Sequence, residues 1–412
     1  MSDHKTCFPS SFIWGSAASS TQCEGAAPAS DWLAWEQAGK APPSGNGNGF
    51  AERYSGDFRL LKEIGLDHHR LSIEWARIEP LEGERDRDAI AHYHRVLDAA
   101  AEAGISIWVC LHHFTLPKWF TDAGGFLGER ALDCWGRHVE FINDEFGESV
   151  YGWQPINEPA AYTAMSYLGG MGPPGIADFS AFQDATRAIY LAWRVAWETL
   201  SGQGRPVSTI HNLSPVFPAD PESEGDRFAA DLFDQSLFGI PLKAIRDGVL
   251  AVPGREPEEI AGLAGSADYF GFSYYSATAV SSEGLGIDSM RPYPPDAKIG
   301  PMRYAPWPEG IGLVIDRIQG EVPSIPILVV ENGIGTDDDS WREEFLAKSL
   351  ETISDRMSGG ADVRGYFHWT ACDNYEWLEG FGVRFGIIDM ERNVKPSARV
   401  LTEAVRASRE GD

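Results

Sequence analysis

Cysteine is sparse in this chain of 412 residues: Cys7, Cys23, Cys110, Cys134 and Cys372 are scattered, odd in number, and form neither a CxxC pair nor a metal-ligand spacing. That excludes a disulfide framework and points to free thiols in a reducing compartment. Positive charge is also scarce. The 34 Lys and Arg residues face 61 Asp and Glu, a formal charge of −27, which argues against nucleic acid or an anionic membrane as partner and reads as plain solubility. No apolar run reaches membrane length. The opening residues Asp3, His4 and Lys5, followed by Pro9, lack the basic-then-apolar form of a signal peptide, so a cytoplasmic protein is expected. No Ser/Gly linker or low-complexity tract divides the chain, and residues 1–412 read as one domain.

What is present is 43% apolar content arranged as an alternation. Eight β-rich runs fall at residues 12–17, 68–73, 105–111, 151–156, 207–210, 269–273, 327–330 and 363–369. Segments with three-to-four-residue apolar spacing separate most of them, as at 89–103, 131–146, 185–200 and 341–357. Gly104 and Gly147 sit where C-terminal helix caps belong. Strand–helix alternation repeated eight times predicts an α/β fold with parallel pairing, a single (β/α)8 TIM barrel whose site lies at the C-terminal ends of the strands. Two Pro/Gly-rich stretches, 41–49 and 287–308, read as long loops of the kind that form lids or binding walls.

Two acidic tripeptides, Asn157-Glu158-Pro159 and Glu331-Asn332-Gly333, each close a strand-like run, 331 − 158 = 173 residues apart. Hydrolysis of a glycosidic bond needs two carboxyl groups, one giving a proton and one attacking the sugar, and a closed barrel can bring distant strand ends together. Other polar and aromatic groups follow the same strand ends: Gln22 and Glu24 after the first, Arg70 through Glu74 at the second, His112 and His113 at the third. Ser273, Tyr274 and Tyr275 follow the sixth, and Trp369 with Asp373 through Trp377 the eighth. Amide, imidazole, carboxylate and indole groups suit a sugar, whose hydroxyls take hydrogen bonds and whose C–H faces stack on rings. Adjacent residues on a strand face opposite ways, so His112-His113 is no metal pair. Neither a metal nor a cofactor is expected.

The segments Phe12-Ile13-Trp14-Gly15, Gln22-x-Glu24-Gly25, Leu116-Pro117-x-Trp119, Asn157-Glu158-Pro159, Tyr274-Tyr275, Glu331-Asn332-Gly333 and Asp373-Asn374-Tyr375-Glu376-Trp377 resemble, in order, the signature blocks of family-one glycoside hydrolases, the retaining β-glucosidases, β-galactosidases and their relatives. The resemblance implies Glu158 as acid/base and Glu331 as nucleophile, with carboxyl groups about 5–5.5 Å apart. It implies Arg70 and Tyr275 as supports of the nucleophile, and Gln22, His113, Asn157, Trp369, Glu376 and Trp377 as sugar contacts, Trp369 being the floor under the ring. His112 is expected to point into packing, and Phe385 to belong to the pocket wall. Relatives that cleave 6-phosphoglycosides carry Ser in place of Glu376, with Lys and Tyr where Val383 and Phe385 stand here. A carboxylate repels a phosphate dianion, so the expected substrates are small neutral β-glycosides or oligosaccharides.

Several residues depart from the family pattern. Ser273 stands for the usual Asn before the Tyr pair, so a hydrogen bond near the nucleophile is expected to be lost or bridged by water. Phe114 replaces a Trp, Val330 a Thr, and Pro155 inside the fourth strand withholds one ladder donor. The chain is shorter than many relatives, and trimmed entrance loops with a wider mouth are expected. Three other classes compete: a sugar-binding relative without catalysis, a metal-dependent barrel hydrolase and an inverting glycosidase. Retention of both Glu residues disfavours the first.

Overall fold

Alternation of short β-branched or aromatic runs with amphipathic helices leaves each strand needing cover on both faces, which a barrel ringed by helices provides. The computed structural model describes residues 8–284 and 289–410; Cys7 and the opening of the 287–308 stretch lie outside them. The barrel strands are Ile13–Ala17, His68–Ser72, Ser106–Cys110, Gly152–Trp153, His211–Asn212, Phe270–Tyr274, Ile327–Asn332 and Val363–Trp369. Their order around the sheet is fourth, third, second, first, eighth, seventh, sixth, fifth, with every pairing parallel. The ring closes between Trp153 and Val207, where Ser208 N–H donates to the Trp153 carbonyl at 2.8 Å.

Strands four and five are shorter than the runs at 151–156 and 207–210 suggest. Beyond Trp153 the Pro155 nitrogen has no proton to donate, although its carbonyl accepts from Leu111 N at 3.1 Å and His112 N at 2.9 Å. The fifth strand's regular pairing falls directly after the apolar run, at His211–Asn212. Helices open earlier than their apolar periodicity where an acidic cap precedes them. Asp86 accepts from the amides of Asp88 and Ala89 to start Arg87–Ala103, and Asp178 from that of Ala181 to start Phe179–Leu200. Gly104 ends its helix in the left-handed region at φ 70°, as expected. Gly147 also caps its helix, Ala131–Phe146, but at φ −55° it stays right-handed and leads into a 3₁₀ turn, Gly147–Ser149.

Inside the barrel, Ile13, Ala17, Trp108, Cys110, Ile210, Leu328, Val330, Phe367 and Trp369 form one buried cluster, separate from the larger core between strands and helices. At the N-terminal mouth the rings of Trp108, Tyr151 and Phe367 meet His68 and plug the interior, with centroid separations of 4.7–6.5 Å. The plug needs close backbone approach. A Cβ on Gly152 would come within 2.5 Å of the Trp108 ring, and one on Gly15 within 2.5 Å of Phe367. The polar chemistry is thereby confined to the C-terminal mouth.

Overpacking a filled core costs about 1–3 kcal/mol. Gly152→Ala is therefore expected to lower unfolding stability by that amount in urea titration. An unchanged midpoint would show that the indole has room to move.

Candidate active site

The seventh strand delivers its carboxylate through an irregularity. Leu328 and Val330 face the barrel interior while Ile327 and Val329 face the helices, so strict alternation would turn Glu331 outward. Val329 pairs with Phe272 but Glu331 with Ser273, one extra residue on this strand, and the bulge re-aims Glu331 inward. There Glu331 is 3% exposed. Arg70 donates from Nη2 to its Oε1, and the Tyr275 hydroxyl donates to Oε2 at 2.5 Å. Arg70 is itself fully buried, its Nη1 bonded to Asn157 Oδ1 at 2.8 Å.

Glu158 arrives differently. It caps the short helix Pro159–Thr163 from a left-handed conformation at φ 43°, a placement that costs a non-glycine residue of order 1–3 kcal/mol. Among the described residues its carboxyl group joins no ion pair, and its printed partners are the Ser273 hydroxyl and the Asn212 amide. Burial pushes its pKa up to about 8, and the nearby Glu331 charge pushes the same way, against the hydroxyl of Ser273, the charge of Arg70 and the amide of Asn212. Ser273 donates its hydroxyl to Glu158, whereas the carboxyl group of Glu331 is met by Arg70 and Tyr275.

Both groups line a cavity of about 700 Å³ together with His113, Asn157, Tyr275, Trp369, Glu376, Trp377 and Phe385. The planes of His113 and Trp369 lie 9° apart at 5.8 Å, and Trp377 is nearly parallel to His113 at 6.0 Å. Burial and the Arg70 charge hold the His113 imidazole well below its usual range, so the ring is neutral. Burial, then the charges of Glu331 and Glu158, raise Glu376 to about 8.

Two of the ten residues singled out stand behind the cavity wall instead of on it, Arg70 and Gln22. Gln22, on the helix Ser20–Glu24, accepts from Ser19 Oγ at 2.8 Å and donates to the Tyr375 carbonyl at 2.8 Å and to Glu376 Oε2 at 3.1 Å. It steadies Glu376. His112 packs edge-on against Phe126 and Tyr162 with both ring nitrogens unbonded. Among the described residues no group of three His, Cys, Asp or Glu side chains is arranged to hold a metal ion.

The two long loops part ways. Met302, Arg303 and Tyr304 of the 287–308 stretch line the cavity, with Met290 to Pro292. The 41–49 loop instead buttresses the segment after the eighth strand. Tyr375 Oη donates to the Pro42 carbonyl at 2.7 Å, and Asn48 Nδ2 to that of Asp373 at 3.1 Å. Beneath this region Glu74 accepts from Ser20 at 2.6 Å and Thr115 at 2.8 Å, tying the first, second and third strand ends together. Asn212 escaped the sequence reading. It reaches Glu158 Oε1 at 3.4 Å, and its signal was the polar His211-Asn212 pair directly after the fifth apolar run.

Ser273→Ala removes a donor that favours the ionised form of Glu158, so its titration should move upward. Carbon-13 NMR of labelled glutamate checks this; an unmoved or lowered titration would contradict the assigned contact.

The pattern of the family described as glycosyl hydrolase family 1 matches residues 4–409. A peroxisomal β-glucosidase of Arabidopsis thaliana is 29% identical over 100% of this chain and 87% of its own length. A cytosolic β-glucosidase of Homo sapiens is 26% identical over 94% and 95%. Among solved structures, a β-glycosidase from Pyrococcus horikoshii superposes with a TM-score of 0.90 at 33% identity, covering 98% of this chain and 96% of that one.

Proposed function

The chain belongs to glycosyl hydrolase family 1 and is an O-glycosyl hydrolase of the β-glucosidase type; on that premise we propose that it removes terminal non-reducing β-D-glycosyl residues from neutral glycosides with retention. β-Glucosidase is the main activity, and β-galactosidase and β-fucosidase are side activities. The observation that carries this reading is the unlike surroundings of two carboxyl groups on one cavity. Glu331 has a cation and a phenol donor, whereas Glu158 has burial and a neighbouring negative charge that raise it to about 8.

In the first step Glu331 attacks the anomeric carbon as the C–O bond to the aglycone breaks, and Glu158 delivers its proton to the departing oxygen. The sugar is then esterified to Glu331. That removes the charge that had helped to raise Glu158, so its pKa falls and it becomes a base. It takes a proton from water, whose oxygen attacks the anomeric carbon and restores Glu331. Asn157 has its oxygen occupied by Arg70, which leaves the amide's donor end for the sugar 2-hydroxyl. Trp369 forms the floor; His113, Glu376 and Trp377 take the remaining hydroxyls, with Gln22 acting through Glu376. Val383 and Phe385 offer a phosphate neither a cation nor a polar partner, which favours neutral sugars. The four buried free thiols Cys23, Cys110, Cys134 and Cys372 suit a reducing, cytoplasmic setting, and residues 1–412 act as one catalytic domain.

Release of nitrophenol from an aryl β-glucoside tests the assignment. Glu331→Gln should abolish it, and Glu158→Gln should cost about 10²–10⁴ in kcat for a poor leaving group. The first-formed sugar should be the β anomer by proton NMR; an α product would mean inversion. A sugar-binding relative would show none of these activities.

The pH profile has a definite sign. Glu158 is the acid only while protonated, so kcat/KM should hold below its pKa and fall as pH rises through about 8. With Glu331 trapped as its glycosyl ester, the Glu158 titration should move to lower pH. A titration that stays in place would contradict the proposed switch.

A further inference from the structure

The barrel interior holds polar groups that the cavity does not use. Arg70 pairs with Ala17 on the first strand and Trp108 on the third, both interior residues. Its side chain therefore starts beside the ring plug and climbs to the floor, where Nη1 meets Asn157 and Nη2 meets Glu331. The remaining nitrogen, Nε, is buried and has no hydrogen-bond partner among the described residues. A guanidinium donates through all three nitrogens, and a buried donor left unpaired is costly.

A second unmet group stands at a level this side chain crosses. Gly152 faces the interior, where a Cβ would strike the Trp108 ring, and Trp153 faces the helices, so alternation turns Gln154 inward. The Gln154 N–H donates to the Val109 carbonyl at 2.8 Å, which sets the residue level with Cys110, itself paired with Ser72. Gln154 precedes Pro155, and a residue in that position is held extended. It is completely buried, and neither Oε1 nor Nε2 has a partner among the described residues. Asn157, three residues on, already bonds Arg70 Nη1 at 2.8 Å, so this segment runs alongside the guanidinium. Cys110 ties the level to the site above. Burial pushes its thiol up to about 11, with the Arg70 charge and the Ser72 hydroxyl opposing and the Glu331 charge adding.

We propose that this level of the barrel holds an internal water, and that Gln154 acts through it as a positioning residue for the nucleophile. The role, though not the water, rests on the reading of Glu331 given above. The water accepts from Arg70 Nε and donates to Gln154 Oε1. An eight-stranded barrel is only wide enough for side chains to fill, so groups from strands two and four at one level lie within one water of each other. Two or more polar partners are what a buried water needs. The Trp108 and Phe367 rings close the space below, and the Arg70–Glu331 pair closes it above. Arg70 repels a cation there, and a neutral amide offers an anion too little in place of its hydration. Holding Nε fixes the plane of the rigid guanidinium fork, which keeps Nη2 on Glu331 and Nη1 on Asn157.

A high-resolution crystal structure should show a water within about 3.2 Å of both Arg70 Nε and the Gln154 amide. A direct bond between the two side chains, or empty density between them, overturns the proposal. Gln154→Met removes the amide at similar volume. It should lower kcat for an aryl glucoside with a poor leaving group by up to about a hundredfold, the cost of a misplacement of about 1 Å, with KM little changed. Gln154→Asn, which leaves space for another water, should recover part of the loss. In nitrogen-15 spectra of arginine-labelled protein, the Arg70 Nε–H signal should show transfer from water in the wild type and lose it in Gln154→Met. A purely structural residue would lower the melting temperature of Gln154→Met while leaving kcat and this transfer unchanged, and that outcome overturns the proposal. If Gln154→Met does not fold, Gln154→Asn and the wild-type density decide. If no glucoside is turned over, the glycosidase reading fails, and the density and the arginine signal still decide on the water.

Discussion

A guanidinium sealed from water imposes its requirements on everything near it. Arg70 is fully buried, and a charge in that position costs several kcal/mol unless it is paired and hydrogen-bonded. Its partners come from separate parts of the chain: Glu331 on the seventh strand, Asn157 after the fourth, and the Trp369 ring, 5.5 Å from the guanidinium carbon, at the end of the eighth. Each partner sits correctly only if the barrel closes in register. Removing one member of such a pair costs about 3–5 kcal/mol, largely because the other is left uncompensated. Closure of the barrel and assembly of the cavity floor are therefore a single event.

The same cation makes the two carboxyl groups unlike. Glu331 takes the direct contact, and Glu158 does not. For Glu158 the Arg70 charge is only one opposing influence, outweighed by burial and by Glu331 itself. Glu376, a third carboxyl group in the cavity, follows Glu158 and is raised to about 8. Burial thus favours the protonated forms of Glu158 and Glu376, while the Arg70 guanidinium stands directly against Glu331. A sugar entering this cavity meets groups able both to donate and to accept, in a region where each hydrogen bond is stronger than in water.

Much of this was legible in the chain because the barrel's periodicities are local. The spacing of apolar runs located seven of the eight strands and stopped just before the fifth's regular pairing, and the residues beyond the strands include His113, Asn157, Glu158, Tyr275, Glu331 and Glu376 of the cavity lining. What escaped depends on neighbours. Strands four and five shrink because Pro155 lacks a donor and because closure happens through isolated bridges at Trp153 and Ser208, which no single-strand pattern encodes. Gly147 caps its helix as its position suggests, but its right-handed backbone was not legible, since a glycine permits the left-handed conformation without requiring it and the chain continues into a further turn. Gln22 reads as a surface amide or a sugar contact, but only the packed structure shows that Glu376 and the Tyr375 carbonyl occupy its nitrogen. The bulge that turns Glu331 inward is invisible in composition. It shows only as a slip in register against Phe272 and Ser273.

Holding carboxyl groups neutral at pH 7 has a cost that falls on the fold. A raised folded-state pKa means that the stabilising contribution is complete below the ordinary carboxyl value of 4.5 and is lost as pH rises toward 8. Each unit of that interval corresponds to about 1.4 kcal/mol for a single group. The left-handed backbone of Glu158 adds to the same side. The opposite mouth offsets these terms, because the rings of Trp108 and Phe367 are fully buried there with Tyr151 packed against Trp108, and none of the three carries a carboxyl group. Partly buried pairs farther out then tie the chain after Ile388 to its neighbours, Arg392 to Asp57 on the helix Phe50–Ile64 and Lys395 to Asp373 in the segment that leads to Glu376. The division follows from the barrel itself: strand starts can be packed for stability, while strand ends are left free to hold groups in states that water would not allow.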